Sequence, residues 1–300
     1  MGVDFCGPFQ LRESRRRIAK MIRSYAAIFV CLATRAVHIE IAFDLSAEGF
    51  INVFKRFIGC RGKSSHIFSD NATNFVGADR ELKELRDLFL KESQQIIHDS
   101  VMEGMQWHFI PPRAPNFGGI WEAAVRSFKT HFKRVAGTAS LTADEMQTLT
   151  VQIEAVLNSR PITALSNDPN DFSYLSPGHF LIGDLLTDIP EPSLLETKEN
   201  RLSRWQRCEQ LRQQLWKRWS KDYLNQLQQR TKWTKEDINV APGNLVLVKE
   251  DNMPPLCWPL GRVQAVHPGS DGVVRVVTIK TIKGVFKRAA NRLSLLPMEQ

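Results

Sequence analysis

The strongest constraint on the fold is an unbroken apolar run, Tyr25 to Ala33, bracketed by Arg23 and Arg35. A run of this length is too short to cross a bilayer, which takes about 20 residues as a helix. With no polar face of its own it reads as a buried strand. Its neighbours agree with that reading. Gly2 to Phe9 has the character of a short strand stopped by Gly7-Pro8. Ala36 to Ala42 alternates apolar and polar residues, the mark of a strand with one wet face. Short links join the three into an antiparallel meander. One residue stands out: Asp4 sits inside the apolar first strand, and a buried carboxylate needs a partner or a metal.

Ser46 is placed to cap a helix whose buried side is Phe50, Val53, Phe54 and Phe57, and Gly59 to Gly62 ends it. Ser65 to Asn71 reads as a fourth strand finishing on Asp70. The turn Asn71 to Phe75 leads into a charged helix of roughly 80–95. Trp107 to Ile110 is a short fifth strand, and a loop rich in Pro and Gly follows. That loop opens into a helix on which Trp121, Val125, Phe128 and Phe132 form an apolar stripe, while Glu122, Arg126, Lys129 and Lys133 share a polar face. Taken alone, Glu122 is as readily a surface carboxylate pairing with Arg126, worth about 0.3 kcal/mol. A further helix spans Thr142 to Asn158. Meander, helix, strand, helix, strand, helix is the element order of an RNase H-like α/β core: a mixed five-stranded sheet with flanking helices.

The second half differs in composition. Residues 201–300 hold 18 Lys and Arg against 8 Asp and Glu, so the net charge of +8 comes from the last third. Such a balance points to an acidic polymer as partner, nucleic acid first. Ser159 to Asn200 is rich in Pro, Asn, Asp and Ser and reads as a linker. Arg201 to Trp233 is a long amphipathic helix, with Leu202, Trp205, Cys208, Leu211, Leu215, Trp219, Tyr223 and Leu227 on its apolar side. From Ala241 onward, four or five short strands separated by Pro, Gly and Asp turns describe a small all-β, SH3-like barrel. The domain organisation is therefore a core over 1–160, a linker with its helix over 161–240, and a barrel over 241–298. Between Gly272 and Pro297 there is no acidic residue. Lys280, Lys283, Lys287 and Arg288 there suit phosphate contacts, or equally a solvated basic face.

The five cysteines are scattered, with no C-x-x-C and no paired His, which argues against a zinc site or a disulfide framework and is compatible with a reducing compartment. Three carboxylates from three elements remain: Asp4, Asp70 and Glu122. An oxygen-only set suits a hard cation, Mg²⁺ or Mn²⁺. Two such ions about 4 Å apart promote in-line phosphoryl displacement. Arg126, Lys129 and Lys133 would then track the substrate strand. Asn74 and Asn116 are either turn residues or polar contacts to substrate.

These residues carry a resemblance. Asp4 in Val-Asp-Phe-x-Gly-Pro-Phe, Asp70 in Ser-Asp-Asn-x-x-Asn-Phe and Glu122 in Pro-Pro-x-x-Pro-x-Phe-Gly-Gly-x-Trp-Glu resemble the DDE triad of retrotransposon integrases, of the BEL/Pao group of LTR elements. Pro242 to Val248 and Trp258 to Val263 are similar to the barrel that follows the core in that group. The interval from Asp70 to Glu122 is longer than in retroviral integrases, the surplus falling in the charged helix and the link to Trp107. The likeness covers core and barrel, lacking the N-terminal His/Cys zinc module. It implies two divalent metal ions on the triad, 3′-end processing of element DNA and strand transfer into target DNA. It also implies double-stranded DNA as partner, a homo-oligomer, no membrane association, and a nuclear location inferred from the substrate. A nuclease with the same triad, or a DNA-binding or assembly protein that keeps the fold without catalysis, are the competing readings.

Overall fold

Residues 1–16, 18–70, 73–92, 105–109, 119–136, 139–228, 240–270 and 272–297 are described by the computed structural model. The chain divides into two units, Met1–Glu154 and Ala155–Gln300. The architecture is mixed α/β, with a five-stranded mixed sheet in the first unit and a separate antiparallel five-stranded sheet in the second.

In the first unit, β1 (Gly2–Arg12), β2 (Met21–Val30) and β3 (Val37–Ala42) form the expected meander, and β4 (His66–Ser69) and β5 (Gln106–Phe109) add in parallel, giving the order β3-β2-β1-β4-β5. Gly7-Pro8 does not stop β1. The register runs from Cys6 opposite Ala26 to Phe9 opposite Ser24, so one extra residue is absorbed as a bulge and pairing resumes. Gly7 has φ +148°, and a Cβ there would come within 2.8 Å of the Tyr25 ring. Only glycine lets the strand pass this point.

Helix α1 (Ala47–Arg61) is capped by Ser46, whose hydroxyl accepts from Gly49 N at 2.9 Å, and it buries Phe50, Ile51, Val53, Phe54 and Phe57. Phe29 of β2 stacks on Phe57 at 4.5 Å, and Phe50 meets Phe75 edge-on at 5.0 Å. Phe75 belongs to α2 (Thr73–Glu92), which starts earlier than the charge pattern indicated because Phe75 and Ala78 are fully buried with the α1 aromatics. On α3 (Gly119–Ala136) the stripe is present at Phe128 and Phe132, stacked at 4.9 Å, with Phe132 edge-on to Phe9 of β1. Helix α4 (Ala143–Asn158) follows.

The wet face expected on β3 is absent: all six of its residues are buried, His38 and Glu40 included. Their charge is neutralised internally. Glu40 accepts from Arg56 Nε at 2.6 Å, and Glu154 of α4 accepts from Ile39 N at 2.9 Å and pairs with Arg61. Periodicity reports polarity, and here the polar residues found partners rather than water.

In the second unit a two-residue hairpin, β6 (Thr163–Ala164) with β7 (Tyr174–Leu175), and one turn of helix, α5 (His179–Ile182), lead to α6 (Arg204–Leu227). Ser203 and Gln206 form a reciprocal capping box at the start of α6. Trp205, expected on the apolar side, is 62% exposed; Trp219 is buried as expected, and Trp216 is buried with it, beside Trp258 and Tyr223. The linker is bonded to this helix: Gln210 Nε2 donates to the carbonyls of Leu194 and Thr197 at 2.7 and 2.8 Å, and Gln213 Oε1 accepts from Leu194 N at 2.8 Å. The final sheet comprises β8 (Leu245–Val248), β9 (Leu260–Pro268), β10 (Val274–Thr281), β11 (Gly284–Ala289) and β12 (Leu293–Leu295), in the order β11-β10-β9-β8-β12. Val246, Val248, Val263, Val277, Ile279 and Leu293 fill its core. Among the described residues no helix is long and apolar enough to cross a membrane.

Candidate active site

Asp4 lies on β1 and Asp70 directly follows β4, its parallel neighbour in the sheet. Gly2 is in register with Phe68. That is the single pair joining β1 to β4; Asp4 lies two residues past Gly2, and Asp70 two residues past Phe68, just beyond the end of β4. The backbone at Asp70 is held by Ser69, a buried residue whose hydroxyl donates to the Asp70 carbonyl at 2.9 Å and accepts from the Trp107 indole at 2.9 Å. Asp70 itself is exposed.

Both oxygens of Asp4 are engaged. Oδ1 accepts from Phe5 N at 2.6 Å, and Oδ2 faces the Lys129 ammonium of α3 at 2.8 Å. Arg126 and Lys133, one turn either side of Lys129, are exposed. Glu122 is in the first turn of α3, two helical turns before Lys129 and so on nearly the same face, about 10 Å along the axis. The Glu122 side chain lies outside those described. Among the described residues, no three His, Cys, Asp or Glu side chains form a metal-holding group. Asn74 is not in a turn: it is in the first turn of α2, 7% exposed, and its Nδ2 has no hydrogen-bond partner among the described residues. Asn116 lies outside the described residues.

The donors present fit a hard cation. Asp4 already holds a positive group, and the nearby soft ligand, Cys6, is buried, which pushes its thiol up to about 11 despite Lys129 and Lys133. At neutral pH that thiol keeps its proton, so a cation would have to displace it to bind sulfur there.

The four cations of the β10–β11 hairpin do not share one face. Thr278 opposite Lys287 and Lys280 opposite Val285 put Lys280 and Lys287 on the outer face of the β10–β11 hairpin. Val277, a core residue, is opposite Arg288, which places Arg288 on the other face; it packs over the Phe286 ring at 5.2 Å and faces Glu250 at 3.9 Å. Lys280 donates to Asn170 Oδ1, while Lys283, in the turn, and Lys287 are exposed.

Two polar centres were missed in the sequence. His38 sets Nε2 against Glu40 at 3.1 Å and Nδ1 against Glu154 at 3.1 Å. Burial opposes the imidazolium, but the two carboxylates outweigh it and hold the His38 pKa above its ordinary value. The other is Arg262, 1% exposed, whose guanidinium donates to the carbonyls of Asp171 and Gly243 at 2.9 Å each and to that of Ser166. The Trp-Pro-Leu-Gly-Arg-Val segment is thus a structural staple. Arginine inside an otherwise apolar strand was its signal.

Residues 203–296 match the model of a family described as a family of unknown function (DUF5641). No curated protein matches the chain. Among solved structures, a chain in the cryoEM structure of the simian T-cell lymphotropic virus intasome in complex with PP2A regulatory subunit B56 gamma is similar at 11% identity and a TM-score of 0.38, over 100% of this chain and 78% of that one.

Proposed function

We propose that the chain is a metal-dependent DNA polynucleotidyl transferase of the retrotransposon integrase kind, BEL/Pao in type, with an RNase H-like core and an SH3-like barrel. One observation carries the reading: β1, which holds Asp4, pairs in parallel with β4, which Asp70 follows, and Lys129 of α3 reaches Asp4. An antiparallel meander continued by two parallel strands supports the core assignment, and the flanking motifs of Asp4, Asp70 and Glu122 support the family.

In this reading Asp4, Asp70 and Glu122 hold two Mg²⁺ or Mn²⁺ ions. Bound ions of this class supply Lewis-acid stabilisation and an activated nucleophile at neutral pH. The chain's own residues do the rest. Ser69 and Trp107 fix the backbone at Asp70, so its carboxylate is presented without a reorganisation cost. Lys129 pairs with the Asp4 carboxylate at 2.8 Å and holds it in place. Arg126 and Lys133 continue that face and receive the phosphates of the bound strand, with Asn74 and Asn116 as polar contacts. The reactions are 3′-end processing and strand transfer of element DNA into target DNA, performed by a homo-oligomer in the nucleus. The Asp4–Lys129 ion pair, which sets an ammonium against a carboxylate that a metal ion would need, also favours a second reading: a DNA-binding or assembly protein that no longer catalyses.

A Mn²⁺-dependent assay on a pre-nicked DNA end separates the two. Joined products from the wild type, reduced about a thousandfold or more in Asp70→Asn with DNA binding retained, are expected. Equal turnover by wild type and variant would sink the site assignment. DNA retention with no chemistry from the wild type selects the second reading, and cleavage without joining a nuclease.

A further inference from the structure

In the second unit, a cleft of about 440 Å³ opens between α6 and the final sheet. At one corner three cations converge. Lys249, just past β8, donates its backbone N–H to the Arg292 carbonyl at 2.8 Å, which sets the two residues side by side. Its ammonium is clamped by α6, donating to Asn225 Oδ1 at 2.9 Å and Gln228 Oε1 at 2.7 Å. Lys221 lies one turn before Asn225 on the same helix face. None of the three makes an ion pair among the described residues. Glu250, next in sequence to Lys249, faces Arg288 instead.

We propose that this corner is a binding site for a phosphate ester. Both oxygens that hold Lys249 are neutral, so its positive charge is fixed in place without being cancelled. Burial lowers the Lys249 pKa, and the charges of Arg292 and Lys221 lower it further. Like charges brought together in this way are relieved by an anion, and charge-assisted bonds to phosphate oxygens are the strong kind. The cleft is much larger than one phosphate and falls in the range of small-molecule sites. Trp216, Trp258 and Pro255 give it apolar wall for the esterified group. The Asn225 and Gln228 clamp presets one donor, while Lys221 and Arg292, both exposed, are free to close on the ligand. None of this depends on Asp4, Asp70 or Glu122, so the site stands whether or not the chain catalyses.

The test is binding of fluorescent thymidine diphosphate to the full chain. Saturable binding is expected, weakened about tenfold or more in Lys221→Gln/Arg292→Gln. Lys20→Gln/Lys55→Gln removes the same charge from exposed positions in the other unit and should leave binding unchanged. Far-UV circular dichroism checks that each variant is folded. Displacement of the probe by short oligothymidylate assigns the natural ester to a nucleic-acid backbone; displacement by thymidine diphosphate but not by the oligomer assigns it to a free nucleotide. Absence of saturable binding, or equal affinity in wild type and the Lys221/Arg292 variant, overturns the proposal.

Discussion

Asp4 of β1 and Lys129 of α3 meet at 2.8 Å across 125 positions of sequence. Their side chains are 29% and 38% exposed, so the pair contributes no more than about 1 kcal/mol to stability. Its consequence is positional. With Phe128 and Phe132 buried on the adjoining stripe, the contact fixes the rotation of α3 about its axis. The backbone of Glu122, two turns earlier, is thereby set on the Asp4 side of the helix.

The pair makes Lys129 a competitor of any cation for Asp4. Lys129→Met should therefore raise Mn²⁺ affinity a few-fold, by removing a competing ion pair worth about 1 kcal/mol or less, while weakening DNA binding. Opposite signs in a Mn²⁺ titration and a DNA titration are the expected result. If both affinities fall together, Lys129 supports the site as packing rather than competing for it.

The elements that carry the candidate residues were legible because their signals are local in sequence. Asp4 interrupts an apolar strand and Asp70 follows the end of another, and the two strands are neighbours in the sheet. The register that joins them, Gly2 opposite Phe68, involves a single bridge and leaves no mark in the residues. Alternation on β3 was read as one wet face, since a sequence cannot distinguish water from a partner such as Glu154, 116 positions from His38. The start of α2 was hidden for a related reason: Phe75 and Ala78 helped define it, but charge further along dominated the pattern. The short strands of the final sheet were legible from the turn residues between them, while the faces of Lys280 and Arg288 needed the hairpin register.

His38 makes the first unit sensitive to pH. Its folded pKa is raised above 6.5, so its contribution is full below the ordinary histidine value and lost as pH rises through the folded value. Glu40 has the opposite sign. Burial raises its pKa, but hydrogen bonds from His38 and Arg56 prevail and lower it below 4.5, so its contribution is lost on acidification. Arg56 faces Glu40, Arg61 faces Glu154, and Glu154 faces His38 from α4. Amide protection along β3 should thus peak between about pH 4.5 and 6.5 and fall above it. His38→Gln should cost about 2 kcal/mol at pH 6 and flatten the alkaline fall. Hydrogen exchange at the Ile39 amide reads both, and an unchanged alkaline slope in the variant would remove His38 as the cause.

Arg262 ties residues 166–171 to β9 through the carbonyls of Ser166 and Asp171, and donates to that of Gly243 as well. Arg262→Met keeps the apolar stem and leaves those acceptors unsatisfied, at a cost of about 3 kcal/mol. The urea midpoint of the second unit is expected to fall accordingly, with nucleic-acid affinity changing only as stability does. A loss of affinity at full stability would mean that the guanidinium is freed to touch ligand.

The barrel hairpin separates cations that are engaged from those that are not. Lys280 is committed to Asn170, and Arg288 to Phe286 and Glu250, whereas Lys283 and Lys287 are exposed. Each lysine that neutralises a phosphate of duplex DNA contributes about 0.9 to the slope of log affinity against log salt. Lys283→Gln/Lys287→Gln should therefore weaken DNA binding and reduce that slope by about 1.8. Lys280→Gln/Arg288→Gln should reduce it by less, since both side chains must first leave partners within the protein. Titrating duplex DNA at several salt concentrations with the two double variants compares them directly. An equal change in slope would show that the intramolecular partners give way to phosphate without cost, and no change in either would take the hairpin out of the DNA interface.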